Sequence, residues 1–187
     1  MRKIAIILTL ILVSGVVNAQ SGGLTKKEEK ALLKEQKKKE QAEAMAAAYE
    51  FTGQMINTGH FVLEADMLFD KYGQSYQVQS NLNFIMLDSI HGVIQVGDAY
   101  SLGQNGVGGV TIEGDVTDYE VKSDEKRHTY TASWEVRSPV GRYRVVLNAS
   151  ANGTADASIS GSFSGRLRFS GNLVHPGKSR VFKGTSY

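Results

Sequence analysis

Two spacings of apolar residues divide this chain near residue 57. Residues 25–55 are rich in Lys, Glu, Gln, Ala, Leu and Met, contain no proline, and place Thr25 three residues before Glu28, the spacing of a helix capping box. From Gly59 onward, apolar and polar residues alternate with the period of two that is typical of β-strands. The pattern therefore predicts an N-terminal helix followed by a β-domain.

The alternation is clearest in the last four strand-like segments, which short turn sequences separate. One of these turns contains Asn152-Gly153, a dipeptide that favours tight hairpins. The residues expected on the inner faces are Tyr130, Ala132, Trp134, Val136, Tyr143, Val145, Leu147, Ala149, Ala155, Ala157, Ile159, Leu167, Phe169, Gly171 and Leu173. Such segments predict an antiparallel meander with one face towards water.

Five further segments upstream raise the expected number of strands to about nine. They cover residues 60–70, 75–80, 83–88, 92–97 and 110–122. Short strands at even spacing are typical of a barrel or of two packed sheets. We expect an all-β domain with an N-terminal helix, in which the meander closes as a lipocalin-like β-barrel and thereby removes its exposed edges. A two-sheet β-sandwich is the alternative.

The first nineteen residues have the features of an export signal. A basic start and an apolar run precede small residues at Val17 and Ala19. We expect cleavage near Ala19 and a periplasmic or secreted protein; the alternative is an uncleaved membrane anchor. Since no other long apolar run follows, no transmembrane segment is expected in the mature chain. The predicted organisation is a signal peptide (1–19), a charged helical arm (20–57) and an antiparallel β-domain (58–187).

Charge and cysteine content narrow the possible functions. The chain has 21 basic and 19 acidic residues and no cysteine, so disulfides and thiolate chemistry are excluded. Without Arg2 and Lys3 the net charge is zero, which is unlike a dedicated nucleic-acid-binding protein. Residues 26–41 contain seven lysines and four glutamates. The arm is therefore either a solvated helix or a basic arm that contacts an acidic partner or anionic lipid.

The glycine-rich segment 103–109 lacks the chemistry of a phosphate-binding loop. Its glycine spacing differs from the dinucleotide fingerprint, a strand rather than a helix follows it, and no P-loop lysine is present. We interpret it as a structural corner, with the further possibility that it borders a pocket. Gly114 and Asp118 interrupt the alternation of the next strand, so a bend or bulge is expected there.

Signatures of metal binding and catalysis are missing from the sequence. His60, His91, His128 and His175 are scattered singly, and His128 is expected in the core or at the barrel rim. Glu64 and Asp66 share the polar side of a strand, where solvation is the default. A pair of catalytic carboxylates could still meet in space. We predict no cofactor, and favour a protein that is not an enzyme.

Two groups of side chains are candidates for binding. Tyr130, Trp134 and Tyr143 project from the same face of adjacent strands and lie opposite small residues. They either fill the core or line a cavity for an apolar ligand. A basic group near the C-terminus is either an ordinary charged surface or a contact for anionic glycan or lipid headgroups; it comprises Arg166, Arg168, Lys178, Arg180 and Lys183.

Several segments in order resemble an exported bacterial family, the domain of unknown function 4251, which is typical of Bacteroidetes. They include "FVLEAD" after the charged helix, "NGVGGVTIEGDV", "ISGSFSGRLRFSGNLV" and "SRVFKG". The resemblance runs from about Glu28 to the C-terminus. It implies a β-rich periplasmic or secreted protein and provides no catalytic or binding residues.

Three functions follow from these patterns. The first is an exported, non-enzymatic β-barrel module that binds a small apolar ligand or an envelope component. The second is a structural or assembly protein whose helical arm docks a partner, such as an envelope protein. The third is an enzyme that acts on a polymer, which the missing signatures disfavour.

Overall fold

The computed structural model describes residues 25–100, 103–161 and 165–186. The predicted signal peptide, its cleavage site near Ala19 and the start of the predicted arm lie outside these residues. Within the described residues, no helix is both long and apolar enough to cross a bilayer.

The described chain forms one long helix, nine strands and a single turn of 3₁₀ helix. The elements are α1 (Lys26–Thr58), β1 (His60–Phe69), β2 (Ser75–Gln77), β3 (Phe84–Asp88), β4 (His91–Val96), β5 (Val110–Asp124), β6 (Thr129–Ser138), β7 (Gly141–Ser150), β8 (Thr154–Gly161), β9 (Arg166–Val174) and the 3₁₀ turn Pro176–Lys178.

The sheet closes on itself because β1 bonds to strands on both of its sides. One side pairs with β3 and, further along, with β2; the other side pairs with β9 from Val62↔Val174 to Phe69↔Arg168. Every neighbouring pair in the order β1-β3-β4-β5-β6-β7-β8-β9 is antiparallel. The predicted barrel is therefore confirmed as a closed barrel of eight strands with β2 as an extra strand, and the sandwich alternative is wrong.

The interior follows the predicted alternation. Inward residues of β6 to β9 form one continuous cluster with those of β1, β3, β4 and β5, and Trp134 and Phe169 are among its fully buried members. The expected irregularity in β5 is also present: Asp118 has a φ of 57°, and the pairing with β6 shifts register between Thr117 and Glu120. A bulge of this kind bends a strand strongly enough to help a barrel close.

The last part of α1 covers one end of the barrel. The Tyr49 ring stacks on Tyr130 with centroids 4.6 Å apart, and the Thr52 hydroxyl donates to the Ala151 carbonyl at 3.1 Å. The Tyr119 hydroxyl donates to the carbonyl of Ile56, which is fully buried. These contacts close the end at which β1 begins.

The earlier part of α1 differs from this packed segment. Residues 25–47 are all exposed, and the boundary between two compact units of the chain falls between Lys38 and Lys39. At the start of the helix, the Glu28 N–H donates to the Thr25 hydroxyl at 3.4 Å and the Thr25 N–H donates to the Glu28 carboxylate at 2.8 Å, which confirms the capping box. The Thr25 N–H and hydroxyl both donate to this carboxylate. These hydrogen bonds lower the pKa of Glu28. Docking of a partner by this arm stays a prediction.

A C-terminal strap, residues 179–186, covers part of the outer surface. Beneath it lies a small second core in which Val62, Phe84 and Val93 are buried, with Val181 of the strap packed against them. Backbone N–H groups of the strap donate to the Asn81 carbonyl, to the Gln95 side chain and to the Asn105 carbonyl. The outer face of β1, β3 and β4 is consequently dry where the strap crosses it.

Candidate functional site

An apolar pocket opens at the end of the barrel opposite α1. Its volume is about 420 Å³, within the range of roughly 300–1,000 Å³ that small-molecule sites occupy. It lies where β1 and β4 end and where β5, β7 and β9 begin. The residues that line it are Asp70, Lys71, Ile94, Val96, Gly109, Val110, Ile112, Tyr143, Ile159, Gly165, Arg166 and Leu167.

The wall of the pocket is built from inward positions of five strands. Aliphatic side chains come from β4, β5, β8 and β9, and Tyr143 of β7 adds the aromatic ring. Ile94, Ile112 and Ile159 are buried, whereas Val96 and Leu167 are partly exposed nearer the opening. Such a wall favours an apolar group and offers few hydrogen-bonding partners to a polar one.

The three predicted aromatic candidates lie at different depths in the barrel. Tyr143 lines the pocket. Tyr130 lies at the helix-covered end against Tyr49, and burial raises its pKa to about 12. Trp134 lies between these levels, and its ring centroid is 5.8 Å from that of Phe61 and 6.0 Å from that of Tyr119. The three side chains share a face, as predicted, but only Tyr143 belongs to the lining of this pocket.

Trp134 belongs to the packed interior. Its side chain is 2% exposed, and its indole Nε1–H is buried without a hydrogen-bond partner among the described residues. A buried N–H of this kind lowers stability by about 1–3 kcal/mol. The large apolar contact area of the ring offsets that cost.

Sequence reasoning missed the aliphatic residues that line the pocket. The period-two pattern does place Ile159 and Leu167 on the inner face of the sheet, but it gives no depth along the barrel. Depth depends on the stagger between strands, which sets Tyr143 beside Gly161 and Val96 beside Val110. The long apolar runs of β3 and β4 indicate only that these strands are buried on both faces.

Charged side chains stand at the opening of the pocket. Lys71 and Arg166 both line it and are exposed, and neither forms an ion pair in the described part of the chain. Asp70 is the acidic residue of the lining, and its Oδ1 accepts hydrogen bonds from the backbone N–H groups of Tyr72 and Gln74 at 2.8 and 2.9 Å. The Asp70 carboxylate thus holds the turn after β1.

The glycine-rich segment is organised around Asn105 rather than around an anion. Asn105 is 1% exposed, and its Oδ1 accepts hydrogen bonds from the N–H groups of Val107 and Gly109 at 3.1 and 2.9 Å. A phosphate would need these same donors. Gly108 has a φ of 79°, and a Cβ there would lie 1.9 Å from the Asp98 carbonyl oxygen, so the corner requires glycine. Gly109 also lines the pocket.

The Asn105 amide continues into a buried polar network beneath the strap. Its Nδ2 donates to the Thr111 hydroxyl at 3.0 Å, and that hydroxyl donates to Gln95 Oε1 at 2.8 Å. Gln95 Nε2 donates to the carbonyls of Leu82 and Phe182 at 3.0 and 2.8 Å. Both amides are fully hydrogen-bonded, and they hold the loops and the strap in place.

Two histidines contact carboxylates in the described part of the chain. His91 lies 3.7 Å from Glu113 Oε1 and 3.8 Å from Asp115 Oδ1. His60 Nδ1 lies 3.0 Å from Asp88 Oδ1. Among the residues that the structure describes, no three His, Asp or Glu side chains could hold one metal ion.

His128 is exposed and touches Tyr49 edge-on at 5.3 Å, so the rim alternative is right and the core alternative is wrong. Glu64 accepts hydrogen bonds from the Ser179 hydroxyl at 2.6 Å and from the Arg180 N–H at 3.2 Å. Glu64 is therefore an anchor of the strap.

The basic C-terminal group does not form one surface. Lys183 Nζ lies 2.7 Å from Glu113 Oε2, and this hydrogen bond is the main reason that the pKa of Glu113 is lowered. The Arg168 guanidinium lies over the Phe69 ring at 3.9 Å, and Lys178 Nζ lies 5.8 Å from the Phe51 ring centroid. Arg166 alone of this group lines the pocket.

Comparisons with known proteins agree with this architecture. A solved structure of a DUF4251 family protein from Bacteroides eggerthii is similar at 29% sequence identity and a TM-score of 0.61, covering 76% of this chain and 97% of that one. A search of curated proteins finds no match. The profile of the domain of unknown function DUF4251 matches residues 21–173, which is most of the chain. The chain therefore belongs to the DUF4251 family.

Proposed function

We propose that this protein is an exported, non-enzymatic β-barrel module that binds a small apolar ligand in the pocket at the open end of its barrel. The observation that carries the proposal is the pocket itself, with its wall of aliphatic side chains and Tyr143. The leader-like residues 1–19 support export.

The geometry of the barrel supports one entry route. The last turns of α1 pack over the opposite end through Tyr49, Thr52 and Ile56, whereas the pocket lies between strand ends. A ligand of about eleven heavy atoms in such a site gains on the order of 6 kcal/mol, which corresponds to a dissociation constant of tens of micromolar.

Binding of the neutral dye N-phenyl-1-naphthylamine tests the proposal. The dye fluoresces when it leaves water, and we expect saturable binding of one molecule per chain that 1-decanol displaces. The variant Val96→Trp places a large side chain inside the pocket and is expected to weaken binding at least tenfold, about 1.4 kcal/mol.

The variant Ile90→Trp is the matched control. Ile90 is 75% exposed in the turn before β4 and does not line the pocket, so binding should be unchanged. Absence of saturable binding by the wild-type protein, or equal loss in both variants, would contradict the proposed function.

A further inference from the structure

The start of β9 carries basic residues without the acidic neighbours that a sheet surface ordinarily provides. In the ladder with β8, Arg166 pairs with Ser160 and Arg168 pairs with Ser158. On the other side, Arg168 pairs with Phe69 of β1 and its guanidinium lies over that ring. Neither ladder therefore offers a carboxylate to these arginines.

The end of β1 adds a third cation at the same place. Lys71 lies in the turn that follows β1, and it lines the same pocket opening as Arg166. A Cβ placed on Gly165 would lie 3.1 Å from Lys71 Cδ, so the lysine stem packs against the residue just before Arg166. Two like charges that line one pocket opening repel each other. An anion bound at the opening would offset this repulsion.

The nearby carboxylates do not supply that anion. Asp70 uses its Oδ1 in the turn after β1 and makes no ion pair within the described residues. Along the same row of the sheet, Glu135 of β6 is three strands away from Arg166, and its Oε1 lies 3.0 Å from Arg137 Nε. The residues that line the opening thus carry two cations and one anion, and the pocket below them is apolar.

We propose that the pocket selects a single-chain amphiphile with an anionic head, whose tail enters the barrel while Lys71 and Arg166 bind the head at the opening. This inference rests on the proposed function and adds the class of ligand. Long stems let Lys and Arg lie along the apolar wall while their charged groups stay in water, which suits an anionic head at the surface. A carboxylate can accept hydrogen bonds from both side chains.

Isothermal titration with decanoate and 1-decanol, below their aggregation limits, tests the head-group preference. The two probes share a tail length and differ in charge. We expect decanoate to bind the wild-type protein roughly 5- to 30-fold more tightly, which is about 1–2 kcal/mol for two exposed cations. The preference should shrink as salt is raised, because exposed charges are screened.

The double variant Lys71→Gln/Arg166→Gln should bind both probes equally and should bind 1-decanol as the wild type does. Arg144→Gln is the matched control, since Arg144 is an exposed cation in register with Ser160 that does not line the pocket. It should keep the preference. All three positions are exposed, and thermal unfolding checks that each variant folds.

The outcomes separate the two proposals. If the wild type binds 1-decanol as tightly as decanoate, or if the double variant retains the preference, the head-group inference is overturned and the apolar site stands. Loss of the preference for decanoate in Arg144→Gln would also overturn the head-group inference. The preference would then come from the overall positive charge of the surface and not from Lys71 and Arg166. If neither probe binds, both the inference and the proposed function fail.

Discussion

Single side chains decide how the helix meets the barrel. Gly53 is buried in α1, and a Cβ built there would lie 2.3 Å from Tyr130 Oη and 2.8 Å from Tyr130 Cζ. The Tyr130 ring cannot move freely because Tyr49 stacks on its face. The absence of a side chain at Gly53 is therefore what allows the two aromatic rings to close the barrel end.

Gly53→Ala should destabilise the protein although alanine is the better helix former. Alanine contributes about 1 kcal/mol of helix propensity, while overpacking at a buried contact costs about 1–3 kcal/mol. We expect a net loss of about 1 kcal/mol in urea unfolding. The second change Tyr130→Phe removes the closest atom and should recover part of the loss. A Gly53→Ala variant that is more stable than the wild type would contradict this packing.

Alkaline unfolding tests the burial of Tyr130. Its pKa is about 12 in the folded chain, against an ordinary value of 10.0 for a tyrosine, chiefly because burial disfavours the charged ring. The raised pKa means that its contribution to stability is complete below about pH 10 and is lost as the pH rises from there through the folded pKa.

Tyr130→Phe should therefore flatten the fall of the unfolding free energy between about pH 10 and 12. Burial also raises the pKa of Tyr119, so part of the fall will remain. Tyr100→Phe is the control, because Tyr100 is 93% exposed and should leave the slope unchanged. Equal slopes for the wild type and Tyr130→Phe would show that Tyr130 is accessible to water.

The helix α1 was predictable from its sequence, whereas the C-terminal strap was not. The helix follows from its composition and from the Thr25 capping box, but nothing in its pattern identifies Thr52 and Ile56 as the residues that reach the barrel. The strap lacks an alternating pattern of its own. The sequence indicates the strap only indirectly, through the apolar runs of β3 and β4. Their outward side chains Phe84 and Val93 would be exposed to water unless another segment packed over them. Which segment provides that cover depends on tertiary contacts.

Two deletions that differ only in the last part of α1 should differ in their effect on stability. Deleting residues 25–47, which are exposed, should leave the thermal midpoint of the barrel within a few degrees of the wild type. Deleting residues 25–57 removes Tyr49, Thr52 and Ile56 and should cost several kcal/mol, since full burial of one large apolar side chain contributes about 1.5–3 kcal/mol. Differential scanning calorimetry compares the two. Equal midpoints for both deletions would contradict the packing of the helix end.

Truncation of the chain after Lys178, which removes the strap, should lower the unfolding free energy by roughly 3–6 kcal/mol. Deletion exposes Val62, Phe84 and Val93 and leaves the Gln95 amide without two of its partners. Lys183→Met is the control: it removes only the partly exposed pair with Glu113 and should cost below about 1 kcal/mol. If the truncation lowers the unfolding free energy no more than Lys183→Met does, the strap is not part of the folded core.

The described residues from 39 onward form a closed barrel with one end covered by the helix end and the other end holding a pocket. The sequence predicted a closed meander because closure pairs the edge strands of a sheet, and the pairing of β1 with β9 provides that closure. The sequence also predicted an apolar cavity as one of two alternatives. It placed Tyr130 and Trp134 in the lining of that cavity together with Tyr143. Alternation fixes the face of a residue, while the stagger of strands around the barrel fixes its depth. Depth is what separates Tyr143 from the other two.

Methyl NMR of isoleucine-labelled protein during titration with 1-decanol tests the binding site most directly. We predict saturable shifts for Ile94, Ile112 and Ile159, which line the pocket, with little change for Ile56 and Ile85, which are buried in the same core outside its lining. Unchanged resonances at Ile94, Ile112 and Ile159 up to saturating ligand, or shifts confined to Ile56 and Ile85, would contradict a ligand site at the open end of the barrel.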